Sequence, residues 1–189
     1  MIDIESLNKN LTYAGYQVGD APVSKIIQKL SRKETDLPVD EIASHVFALV
    51  CQNDEWFAYE AHMKWNGCKK LHYDQWKQDY KPEALFCAPR DLYVGALEFY
   101  ADPKFNPGYS SAQIFGLALE EVTEHYFWND NPGMICSEYV AVADRGFKIC
   151  YDYGLKANRI KPVHWQMQLM KEVPDIQTKR ELLRKKVNV

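Results

Sequence analysis

No stretch of this 189-residue chain approaches the ~18 consecutive apolar residues of a membrane-spanning helix, so no span is expected. Its first residues, MIDIESLNKNLTYAGY, lack a basic segment followed by an apolar run. No secretory leader is therefore expected, and a cytoplasmic location is. The five cysteines (51, 68, 87, 136 and 150) are odd in number and include no CxxC pair. That speaks against a disulfide framework and for reduced thiols. There is no HExxH, no glycine-rich phosphate loop, no internal repeat and no Gly/Ser linker. Strong positive charge is lacking too. A formal net charge of −3 excludes a nucleic-acid binder that works by neutralising phosphates, and the basic run at 179–186 reads as a solvated helix face.

What remains is an ordinary globular composition, 47% hydrophobic and 26% charged, with twelve Tyr and five Trp. The length suits a single domain over 1–189, here with a helical extension from about residue 160. Val23, Ile26, Ile27 and Leu30 recur at helical spacing, so residues 22–32 predict a short amphipathic helix. The polar segment that follows, with its proline, reads as a loop.

Residues 44–51 (SHVFALVC) and 56–61 (WFAYEA) are β-branched and aromatic runs around Gln52-Asn53-Asp54-Glu55, which predicts a hairpin. Gly67 is expected to end that unit, and residues 69–73 fit a further strand. Residues 92–100 suit a strand or a helix start equally. A helix is expected over 110–128, capped by Ser110 or Ser111 and broken at Asn129–Gly133. A second runs from Cys136 to Arg145 with Gly146 as its cap, 147–153 suggests a strand, and Pro162 opens a final helix interrupted near Pro174. Helix, antiparallel strands, then helices make the fold class α+β.

The hairpin carries the first chemical signal. A turn at Gln52-Asn53 places His45 opposite Glu60; a turn at Asn53-Asp54 places His45 opposite His62 with Glu60 on the diagonal. Both registers bring imidazole and carboxylate within reach, and a carboxylate fixes a histidine's tautomer and supports its charged form. The second signal is Cys136 at a helix start. Unpaired N–H groups and the positive end of the helix dipole favour a thiolate there, and the N–H groups of Cys136 and Ser137 are placed to receive an oxyanion. Cys51, Cys87 and Cys150 lie in apolar contexts and read as structural thiols, and His125 and His164 as structural histidines. His62, Cys68 and His72 form a rival metal set, at a spacing that matches no zinc pattern. Trp56, Trp65, Tyr73 and Trp76 cluster around the hairpin as core or as the wall of a groove.

In order along the chain, SHVFALV, WFAYEA and MICSEYVA resemble the circularly permuted NlpC/P60 group of papain-like cysteine hydrolases. That group places a His strand and an acidic strand before a late Cys helix. The resemblance spans roughly residues 20–146. It departs from the group in a long aromatic insertion between Gly67 and Cys136, in a Gly-Asp element present only loosely as Gly19-Asp20, and in an unmatched tail. It implies a papain-like domain with a small β-barrel or curled sheet packed on helices. Cys136 is then the nucleophile, His45 the base and Glu60 the residue that orients it. Small-molecule, peptide-like or acyl-lipid amides and esters are the implied substrates, with no metal or organic cofactor. Hydrolysis is the expected outcome, with acyl transfer by the same triad, or a non-catalytic binding module that kept the fold, as alternatives.

Overall fold

The computed structural model describes residues 2–81, 84–114, 116 and 133–173. Five antiparallel strands form one sheet in the order β4-β3-β2-β1-β5. These are β1 (Thr12–Gln17), β2 (His45–Gln52), β3 (Glu55–His62), β4 (Gly67–His72) and β5 (Leu85–Pro89). The helices are α1 (Pro22–Leu30), α2 (Tyr73–Trp76), α3 (Val94–Ala101), α4 (Cys136–Ala143), α5 (Lys148–Tyr153) and α6 (Pro162–Glu172). The chain is α+β. Among the described residues no helix is long and apolar enough to cross a membrane.

The hairpin selects the second of the two registers. Gln52 pairs with Glu55 and Ala48 with Tyr59. Asn53 and Asp54 form the turn with φ of 51° and 66°, the left-handed pair that matches the twist of two short-linked strands. Side chains alternate across the sheet. Val46, Ala48, Val50, Tyr59 and Ala61 face one core, covered by α3, α4, α5 and α6 through Leu97, Tyr139, Val140, Ile149, Trp165 and Leu169. Phe47, Leu49, Trp56, Ala58 and Leu71 face a second core, closed by Tyr73 and Trp76 of α2.

Two strands had no sequence expectation: β1 and β5, which extend the sheet beyond the hairpin. β1 carries Gly15 where the Phe47 ring crosses the strand. A Cβ there would sit 2.3 Å from that ring, so a larger residue would displace a buried side chain.

Three expectations are corrected. Gly67 opens β4 instead of ending the unit; its φ of +147° and the Asn106 side chain 2.1 Å from where a Cβ would be leave room only for glycine. The segment 92–100, open between strand and helix start in the sequence, takes the helical alternative, with α3 beginning at Val94. The suggested strand at 147–153 is helix α5, because Ile149 anchors in the helical core and Asp144 accepts its N–H at 2.6 Å. The Cys136 helix ends at Ala143, where Asp144 turns extended, and Gly146 lies in the next turn. Ser110 does accept the Gln113 N–H at 3.1 Å, as a cap, and residues 111–114 are helical. Apart from residue 116, the remainder of the 110–128 helix, and with it His125, lies outside the described residues, as do Pro174 and the 179–186 run.

Candidate active site

His45 is the first residue of β2, and it shares the second-core face with Phe47 and Leu49. Glu60 is on β3 on that same face, diagonal to it as the Asn53-Asp54 turn requires. Nε2 of His45 lies 2.9 Å from Oε2 of Glu60. The same oxygen accepts the Trp76 indole N–H at 2.8 Å and the Tyr80 hydroxyl at 2.5 Å, while Oε1 accepts the Trp65 indole N–H at 3.0 Å. A buried carboxylate holding four donors is fully satisfied, which is the condition for keeping a charge in the interior. Burial works to raise the Glu60 pKa, but His45 and then the Tyr80 and Trp76 donors prevail and hold it down at about 2.

α4 lies across the other face of the sheet, against β2 and β3. Its N-terminus is set by a short parallel bridge: Met134 donates to Gly108 O at 3.0 Å, and Ser110 donates to Met134 O at 3.2 Å. Its body is held by Ser137 Oγ donating to Ile160 O at 2.5 Å and by the Trp165 indole donating to Ser137 O at 3.2 Å. Cys136 is the first helical residue, 3% exposed. The sulfur lies beside the His45 imidazole at the start of β2, close enough to raise its pKa. Since Glu60 occupies Nε2, Nδ1 is the ring nitrogen left for sulfur.

Burial alone would lower the His45 pKa. The Cys136 sulfur and the Glu60 carboxylate outweigh it and raise the imidazole to about 10. Tyr80 stacks on the imidazole at 5.8 Å with planes 14° apart, and burial and the Glu60 charge push its hydroxyl well above the usual phenol range, so it stays a donor. His62 meets the His45 ring edge-on at 5.5 Å; burial, then the His45 charge, lowers it. One imidazolium is thus favoured over two.

Of the remaining cysteines, burial raises Cys68 to about 12 and also raises Cys150, as inert thiols. The rival metal set does not converge. His62 pairs with Gly67 and His72 with Phe57 at opposite ends of the β3–β4 ladder, five residues or ~16 Å apart. Each instead accepts a backbone N–H through Nδ1, His62 from Lys64 and His72 from Asp74. Nor do the four aromatics make a groove. Trp56, Tyr73 and Trp76 are buried in the second core, and Trp65 and Trp76 serve Glu60. Tyr80 was missed because nothing local marks it; its position depends on the chain folding back after α2.

A narrow cleft of about 390 Å³, counted to its open mouth, reaches Cys136. Ile27 and Leu30 of α1, Tyr109, Ile114, Ile135 and Pro162 line it, an almost wholly apolar wall. Burial and then the Cys136 and Glu60 charges push the Tyr109 hydroxyl up, so it too remains protonated. On the far side Glu34 ties the cleft's rim together, 2.6 Å from His164 Nε2 and paired with Lys161.

Fold and site together define an α+β chain with a Cys–His–Glu constellation at a helix start. No family model matches the sequence, and no curated protein matches it.

Proposed function

We propose that this protein is a cysteine hydrolase of circularly permuted papain-like architecture, acting on an amide, acyl ester or thioester. The observation that carries the reading is the convergence of Cys136, His45 and Glu60 from three elements. His45 takes the thiol proton, and the sulfur attacks the carbonyl carbon. The oxyanion is received by the Cys136 and Ser137 N–H groups, which the first helical turn leaves without intrahelical acceptors. As the carbonyl re-forms, the leaving group departs with the proton from His45, and the acyl group stays on sulfur. Water deprotonated by His45 then releases the acid. Glu60 keeps the imidazole oriented and supports its charge throughout. The apolar cleft supports an apolar acyl portion on the substrate.

Incubation with a p-nitrophenyl acyl ester tests this: intact-mass measurement should find an acyl adduct on Cys136, absent in Cys136→Ala. A wild-type protein with neither burst nor adduct, whose Cys136 reacts with iodoacetamide at pH 6 no faster than an ordinary thiol, would point to the non-catalytic module. The burial of the sulfur in an apolar cleft, which limits water, favours acyl transfer as a second reading. Product appearing on an added amine, in place of free acid, decides for transfer.

A further inference from the structure

An amphipathic helix ordinarily buries its apolar stripe and exposes its polar face. α1 departs from that rule on both faces. Gln28, about 140° round the helix from Val23, is 0% exposed and donates to Gly19 O at 2.9 Å, and Ser31 beside it is also buried. The stripe of Val23, Ile26, Ile27 and Leu30 instead faces outward and sideways: Ile26 is 52% exposed and Val23 41%, while Ile27 and Leu30 form one wall of the cleft that ends at Cys136. A continuous apolar surface therefore runs from solvent, along α1, to the sulfur.

The charge around that stripe is one-sided. Between Ala21 and Lys33 the chain has four basic side chains (Lys25, Lys29, Arg32 and Lys33) and no acidic one, in a protein of net charge −3. Lys29, Arg32 and Lys33 are exposed. Lys25 and Lys29 follow the stripe round the helix beyond Ile26, at the border between apolar and polar faces. Exposed aliphatics flanked by lysines on a helix lying along a surface are the pattern of an interfacial helix, which combines apolar insertion with attraction to anionic headgroups.

We propose that α1 docks the protein on an anionic lipid surface, Val23 and Ile26 inserting between headgroups and the lysines contacting them, with the cleft mouth turned toward the membrane. The use of this docking, delivering an acyl chain toward Cys136, rests on the hydrolase reading; the docking itself does not.

The test is co-sedimentation of the full chain with vesicles of phosphatidylcholine containing roughly one-third phosphatidylglycerol, against pure phosphatidylcholine. Binding to the anionic vesicles only is expected, weakening as salt rises to about 0.5 M. Lys25→Ala/Lys29→Ala should weaken binding by about 25-fold, at about fivefold per lysine, and Ile26→Asn by about tenfold. Ile26→Asn should leave hydrolysis of a water-soluble ester within about twofold of wild type, because Ile26 does not line the cleft. Cys136→Ala should bind vesicles like the wild type, so failure of catalysis and failure of docking are separable. The proposal is overturned by absent binding to anionic vesicles, by binding that neither surface variant changes, or by light scattering that shows a dimer converted to monomer by Ile26→Asn, which would assign this face to a second copy.

Discussion

The sharpest perturbation of the site is Glu60→Gln. Glu60 is buried and accepts four hydrogen bonds, three of them on Oε2. Glutamine has one acceptor oxygen and one NH₂ group. Placing the oxygen where Oε2 stands keeps His45, Trp76 and Tyr80 served, and leaves the NH₂ facing the Trp65 indole, the less buried partner. The shape survives but the charge does not. Hydrogen bonds to a charged group are worth about 1.5–3 kcal/mol and neutral ones about 1 kcal/mol, so the imidazolium loses roughly 1–2 kcal/mol. That lowers the His45 pKa from its raised value by about 0.7–1.5 units. Since the proposed mechanism needs the charged imidazolium beside the sulfur, the alkaline limb of kcat/KM should move down by the same amount, about 0.7–1.5 units. The rate at neutral pH should fall about 5–30-fold. Paired profiles of ester hydrolysis and of iodoacetamide alkylation at Cys136 read both effects. An alkaline limb displaced by less than a few tenths of a unit, with the neutral rate within twofold, would refute the assignment of Glu60 as the group sustaining the His45 charge.

Further outcomes follow from the same contacts. Glu60 has its pKa lowered from 4.5 to about 2, so its contribution to stability is complete above the unfolded value and is lost as pH falls from 4.5 toward 2. Acid unfolding followed by tryptophan fluorescence should show that loss, on the order of 3 kcal/mol, and Glu60→Gln should flatten it. His45 has the opposite sign. Its raised pKa stabilises the fold fully below 6.5 and is lost as pH rises through about 10, so stability should decline over that window and decline less in Cys136→Ala, which lacks the sulfur that helps raise it. Tyr80→Phe removes one donor from Glu60 and leaves the ring stacked on His45; urea unfolding should register about 1–2 kcal/mol of destabilisation, and an unchanged stability would place the hydroxyl outside the network. Arg90→Ala strands the buried Asp144 carboxylate, which Arg90 holds through two bonds of 2.7 and 2.8 Å. A loss of about 3–5 kcal/mol in chemical denaturation is expected.

Much of the candidate site was readable because it is encoded in short-range pattern. Alternating β-branched and aromatic residues around Asn53-Asp54 specify a hairpin, and strand periodicity then forces His45 and Glu60 onto one face in either register. The helix at Cys136 follows from the break before it and the apolar residues after it. What stayed hidden depends on residues remote in sequence. Trp65, Trp76 and Tyr80 look like generic core aromatics until the chain turns back over the second face and aims three donors at one carboxylate.

The same division holds for the fold. Local periodicity by itself determined the β2–β3 hairpin though not its register, the amphipathic character of α1, a capping serine at 110 or 111 and the α+β class. Only tertiary structure decided that residues 148–153 are helical, since a short apolar run fits either state until Ile149 finds its core. Tertiary structure also decided which side of α1 is buried, because periodicity defines a stripe without saying what the stripe will face. And it alone decided that a thiol on one side of the sheet meets an imidazole on the other around the first residue of β2, a contact between positions 91 residues apart that no local preference encodes.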